Sequence, residues 1–305
     1  MGGWERALRA AGVREAGLRA DYGRQRAEVA QYRREAELAT RLLLPPGMVP
    51  HVIAATAFMH RTDLLLDGEG SVAERRDAAA RWAAETAEAL AAGRTGNAAL
   101  RPLVHSAGVH PVLGQRALEF LGRAAADLDF AGFETEADYQ RYVDEYSLPA
   151  VMVIAGMLGP AGDQAEYRAA CRTFIDGSQR LDFANDLAED LAGGRLAIPQ
   201  SYLTEHQVSR EDLERSRELP AVRALLADQL DRAARSLDAG RAVVGLAPAA
   251  HRPMLRCMVE LELLTVRAAR VDPAALVRRS VGPGKPAALR LLGRCYLQAR
   301  RAPQE

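Results

Sequence analysis

Lysine is nearly absent. Of the 40 basic residues only Lys285 is a lysine, so arginine carries the positive charge, and its planar fork suits carboxylate and phosphate oxygens. No net charge exists either: 40 basic residues balance 40 acidic ones, which leaves no basic field to gather nucleic acid or lipid headgroups. The three cysteines, Cys171, Cys257 and Cys295, are odd in number and lack a CxxC pair. That argues against a disulfide framework or a zinc site and fits a reducing compartment. Aromatic residues make up only 5%. No apolar run approaches the roughly 18 residues that span a bilayer, and the opening MGGWERALRAAG has no signal-peptide core. A cytoplasmic chain without a membrane segment is expected.

Strand signals are as scarce as lysine. Alanine, leucine, arginine and glutamate dominate, and apolar positions recur at helical spacing. Breaks are expected at Pro45-Pro46-Gly47, Gly68 to Gly70, Gly93 to Gly96, Gly159 to Gly162, Gly193-Gly194 and Gly282 to Gly284. The segments between them, many expected to be 15 to 30 residues long, predict an all-α helical bundle. Composition does not shift along the chain, so residues 1–305 read as one domain, with 1–30 a less typical helical extension.

Two acid clusters stand out. Asp63 and Asp67 lie one helical turn apart among apolar neighbours. Asp182, Asp186 and Asp190 form a ladder expected on one face of a single helix, with Gln179 near the same stripe. Like charges at that spacing repel by a few tenths of a kcal/mol. Magnesium reverses the sign, because it takes hard oxygen ligands, commonly one or two carboxylates with phosphate and water. Two acid faces opposed across a bundle would hold a diphosphate through several ions; a solvated acidic face is the plainer alternative.

These residues carry a family resemblance. Glu35 to Pro45, Ala57 to Asp67, the run Asp127-Leu128-Asp129 with Phe133-Glu134-Thr135 and Tyr142, and Gln179 to Pro199 follow one another as in the squalene/phytoene synthase family. The chain resembles that family over roughly residues 30 to 300, and the stretch Asp186 to Pro199 with its Gly194-Arg195 is the most specific match. The resemblance implies an isoprenoid synthase fold: helices around a deep apolar cavity, with magnesium-bound diphosphate at its mouth. It makes Asp63, Asp67, Asp186 and Asp190 the catalytic metal ligands. Arg195 becomes a diphosphate contact, with Arg61, His60, Gln179, Asp182, Tyr142 and Tyr146 lining the substrate site.

Departures from the family pattern shape the functional expectation. Leu64 stands at the second aspartate of the first motif, His60 at its arginine, and Ala197 at a tyrosine. Leu148 and Val151 are bulkier than the family's central helix carries. They point to one diphosphate seat kept and the other relaxed. The expectation is therefore a Mg²⁺-dependent prenyltransferase that moves an isoprenyl group from its diphosphate donor to a small non-isoprenoid acceptor, aromatic and carbazole-like, in specialised metabolism. Head-to-head condensation of two prenyl diphosphates, a terpene cyclase, and a non-catalytic helical partner protein are the alternatives. His51, His105, His110, His206 and His251 read as unrelated histidines, and Arg75-Arg76 as a solvated face.

Overall fold

The computed structural model describes residues 2–302, and the described residues form helices with no strand. The first layer comprises α1 (Gly3–Ala10), α2 (Ala16–Tyr32), α3 (Arg34–Leu43) and α4 (Met48–Leu66). Next come α5 (Val72–Ala92), α6 (Arg101–Val109) and α7 (Pro111–Ala124), then α8 (Glu136–Tyr142) and α9 (Leu148–Leu158). The long α10 (Ala165–Asn185) leads through α11 (Leu187–Ala192), α12 (Gln200–Glu205) and α13 (Arg210–Glu214) to α14 (Pro220–Gly240). The chain closes with α15 (Ala242–Leu246), α16 (Arg252–Ala269) and α17 (Lys285–Arg301). No helix among the described residues is long and apolar enough to cross a membrane.

Local chemistry sets the ends. Ser71 and Glu74 form a reciprocal capping box that starts α5, and Gly93 closes it at φ 64°, a conformation only glycine adopts freely. The expected Gly/Pro breaks all fall between helices; among the described residues seven helices, from α2 to α17, run 17 to 21 residues, inside the expected range, and the others are shorter. One unforeseen break falls at His110, because Pro111 pushes the residue before it out of helical geometry. Another falls at Arg33, with φ −140° and ψ 68°.

The main apolar core runs from Ala7 in α1 to Cys295 in α17. Its closest approach is between α10 and α14. At Gly177 a Cβ would lie 2.7 Å from the Ala233 carbonyl oxygen, and at Gly240 2.7 Å from Phe174 Cα. These two glycines let the backbones touch and so hold α10, which carries the second acid motif. A π-helical turn over Val143–Ser147 joins α8 to α9. Cys257 and Cys295, far apart in sequence, meet thiol to thiol between α16 and α17.

Candidate active site

The first motif sits at the end of α4. The Asp67 amide donates to the Asp63 carbonyl at 2.8 Å, so the two acids stay one turn apart. Beside them the buried Thr62 accepts a hydrogen bond from Trp82 Nε1 at 3.0 Å, which fixes the rotation of α4 against α5. Arg75 is not merely solvated: its guanidinium caps the Leu66 carbonyl at 2.6 Å.

The second motif departs from the single-helix ladder. α10 ends at Asn185, Asp186 lies at the junction with φ −94° and ψ 5°, and Asp190 belongs to α11. The turn-to-turn bonds persist across the junction, from the Asp186 amide to Asp182 O at 2.8 Å and from the Asp190 amide to Asp186 O at 2.9 Å. Three stacked carboxylates oppose a continuous helix, and the kink relieves that while keeping one turn between them. Gly194, at φ 79°, then reverses the chain so that the Arg195 amide bonds Asp190 O at 2.7 Å.

Asp127, in a 3-10 turn over Ala125–Asp129, lies between the motifs. It accepts a hydrogen bond from the Tyr142 hydroxyl at 3.0 Å and stands 3.6 Å from the Arg195 guanidinium. Its charge raises the affinity of Asp63, Asp67 and Asp190 for protons, so all three share one electrostatic field. Burial, with the charges of Asp67 and Asp127, pushes Asp63 up to about 6. Burial first, then neighbouring carboxylates, also raises Asp67 and Asp186; burial raises Asp190, against the lowering charge of Arg195. Asp182 is pushed up to about 8 by burial, then by Glu262 and Asp186. The residue is exposed to solvent, yet protein crowds its carboxyl closely enough to disfavour the charged form. Glu262, from α16, faces it and accepts from Ser178 at 3.3 Å.

Two guanidiniums balance these acids. Arg195 lies 4.6 Å over the Phe130 ring and lowers Asp67 and Asp190. Arg33, absent from any motif, lowers Asp63, Asp182, Asp186 and Glu262. The break between α2 and α3 places it there, 5.3 Å over the Tyr32 ring, and Tyr32 stacks on His60 with centroids 3.7 Å apart. Burial lowers the His60 imidazole, so it stays neutral near pH 7 and adds no cation.

The other expected residues sort clearly. Gln179 accepts from Ser147 at 2.9 Å, and Tyr146, 5.1 Å from Tyr142, feels Asp127, Asp63 and Asp67. Arg61 is exposed, makes no hydrogen bond or ion pair among the described residues, and is not among the charges acting on Asp63 or Asp67. Behind the motif the buried Arg180 pairs with Glu136 at 2.6 Å and lies 4.1 Å over Tyr139, bracing α10 against α8. The histidines are not all unrelated: His51, His105 and His110 stack together, joined by Ser106 and Tyr22, at the opposite end of α4 from Asp63.

Asp63, Asp67, Asp186 and Asp190 offer only hard oxygen donors, in excess over the guanidiniums beside them, which suits a divalent hard cation. Among the described residues no three acid, histidine or cysteine side chains converge closely enough to hold an ion alone. Oxygens from a bound phosphate group and water would complete such a shell.

Known proteins align with this architecture. The squalene/phytoene synthase family model matches residues 29–297. A bifunctional protein CrtB/UppS of Streptomyces coelicolor is 30% identical over 220 residues, covering 72% of this chain and 38% of that protein. A phytoene synthase of Thermus thermophilus is 31% identical over 140 residues, 42% of this chain and 47% of its own length. The chain thus spans less than half of either relative. Among solved structures, the squalene synthase HpnC of Alicyclobacillus acidocaldarius superposes with a TM-score of 0.70 at 23% identity, covering 93% of this chain and 98% of that one. A dehydrosqualene synthase with bound ligand reaches a TM-score of 0.77 at 15% identity, with the same coverage.

Proposed function

Because the chain belongs to the squalene/phytoene synthase family, we propose that it joins two isoprenyl diphosphates head to head in a Mg²⁺-dependent reaction. The observation that carries this reading is a pair of guanidiniums whose charge acts on both acid motifs: Arg195 on Asp67 and Asp190, Arg33 on Asp63, Asp182 and Asp186. Leu64 and His60 had pointed to a single diphosphate seat, since two clustered diphosphates need more positive charge than those residues supply. Arg33 supplies the missing cation from outside the motif.

In this reading Asp63, Asp67, Asp186 and Asp190 would hold Mg²⁺, which neutralises the departing diphosphate. The allylic C–O bond breaks, its electron pair leaves with the diphosphate, and Arg195 and Arg33 stabilise the charge that develops. The double bond of the second prenyl chain captures the carbocation and that chain then loses a proton; departure of its own diphosphate, and of a second proton, leaves the hydrocarbon. Tyr142 and Tyr146 line the mouth, with hydroxyls held protonated by burial, so they donate to oxygen without competing as bases. Asp127 fixes Tyr142 and Arg195 in register.

Transfer of one prenyl group to an aromatic acceptor is the second reading, favoured by the exposed Leu64 where an acid would strengthen the first motif. One experiment separates the two. Incubation with farnesyl or geranylgeranyl diphosphate alone, with Mg²⁺, should yield a hydrocarbon, and EDTA should abolish it. A prenylated product formed only when an aromatic acceptor is added would overturn the head-to-head reading.

A further inference from the structure

Helix α17 stands apart electrostatically. It carries Lys285, Arg290, Arg294, Arg300 and Arg301 and no acid, although the chain as a whole is neutral. None of these five cations makes an ion pair or hydrogen bond among the described residues, in a protein whose arginines are mostly paired. One face of the helix packs inward through Leu291 and Cys295, and Gln298 is tied to Arg256 on α16 at 2.7 Å.

The opposite face is apolar where it should be polar. Leu289 is 68% exposed, Leu297 56% and Tyr296 38%. At about 100° per residue these three fall on one strip. Arg290, Arg294 and Arg301 flank it on one side and Lys285 on the other, while Arg300 closes the strip at its C-terminal end. A helix with an apolar strip, cationic flanks and no carboxylates is built to lie in the plane of a bilayer interface.

We propose that the α17 face docks on a lipid bilayer bearing anionic headgroups, with Leu289, Tyr296 and Leu297 in the headgroup–acyl boundary and the flanking arginines on lipid phosphates. Charge complementarity selects this occupant: a second copy of the chain would set five unpaired cations against five more. The placement also connects to the cleft. The segment leading into α17 is tied to the second acid motif by the Val281 amide, which donates to Asn185 Oδ1 at 2.7 Å. Docking does not depend on which reaction the cleft performs.

The test is flotation of the full chain with vesicles of phosphatidylcholine alone and of equal parts phosphatidylcholine and phosphatidylglycerol. The chain should float with the anionic vesicles, should not float with the neutral ones, and should be released by high salt. Arg290→Gln and Arg294→Gln should each weaken partition about fivefold. Leu289→Ser with Leu297→Ser should weaken it at least tenfold. Arg81→Gln, at an exposed arginine on α5 with no ion pair among the described residues, should change nothing. All these side chains are exposed, so melting curves should match wild type. Failure to float with anionic vesicles, an equal loss with Arg81→Gln, or a concentration-dependent dimer abolished by the leucine substitutions would overturn the proposal.

Discussion

Replacing Gly177 with alanine should weaken both the fold and the proposed chemistry. The new Cβ would sit 2.7 Å from the Ala233 carbonyl oxygen, and 2.8 Å from both the Leu237 amide nitrogen and Cγ. Two of these three are backbone atoms of α14 and cannot swing aside, so α10 and α14 must part by several tenths of an ångström. Overpacking of this kind costs about 1–3 kcal/mol, and alanine's better helix propensity returns about 1 kcal/mol. A net loss of up to about 2 kcal/mol corresponds to a melting point lower by up to about 3 °C for a chain of this size. α10 carries Asp182 and leads into Asp186, so its displacement also shifts the second motif relative to the first. Misplacement on the 1 Å scale costs up to about 100-fold in rate, and a loss of about tenfold in kcat/KM is expected here. The control is Gly245→Ala, whose Cβ would meet nothing within 4 Å. Thermal melts followed by circular dichroism, with steady-state turnover of a prenyl diphosphate, read both effects. Wild-type melting and turnover in Gly177→Ala, or an equal drop in Gly245→Ala, would refute the reasoning.

Asp186→Ala and Asp190→Ala should each lose about 100-fold or more in turnover, more than Asp63→Ala, while melting at or above the wild-type temperature because one repelling charge is gone. An Asp63→Ala variant that proved the most damaging would contradict the ranking. Arg33→Gln should raise KM for the diphosphate by about tenfold, with Arg33→Lys recovering part of it; an unchanged KM would remove Arg33 from the site. The pH dependence has a definite sign. Asp63 near 6 and Asp182 near 8 hold protons more tightly folded than unfolded, so their contribution to the stability of the metal-free chain is full below the usual carboxylate range and is lost as pH rises to about 8. Asp182→Asn should flatten the upper part of that decline in melts run with EDTA, and parallel curves for wild type and variant would count against it.

The helical fold and its Gly/Pro breaks are local properties, so composition and periodicity disclose them. The spacing of Asp63, Asp67, Asp186 and Asp190 is equally local. Arg33 is different: it belongs to no pattern, and it lies where the chain leaves helical geometry, over the Tyr32 ring, from which its charge reaches acids of both motifs. Asp127 stood among the residues that resemble the family, yet nothing in its neighbours announces that Tyr142 and Arg195 will close on it. Glu262, about 80 residues beyond Asp182, is invisible for the same reason. The kink at Asp186 is a contest between helix continuation and charge repulsion that spacing alone does not decide. The histidine group and the Cys257–Cys295 contact join residues from separate helices, and such contacts leave no periodic trace.

The π-helical turn at Val143–Ser147 has a consequence for how this chain tolerates length changes. A turn of this kind holds one residue more than an α-helical turn, so it acts as a phase shifter: everything after it is rotated by about 100° relative to a continuous helix from Tyr142. Ser147 meets Gln179, and Leu148 and Met152 face the core, only in that phase. Removing one residue between Tyr142 and Ser147 would restore an ordinary helix, improve its hydrogen bonding, and turn Ser147 and the apolar face of α9 away from α10. Insertions and deletions are usually forgiven in loops and punished in strands and helices through lost bonds. Here a deletion would be punished while every backbone bond was satisfied, because what is lost is angular register.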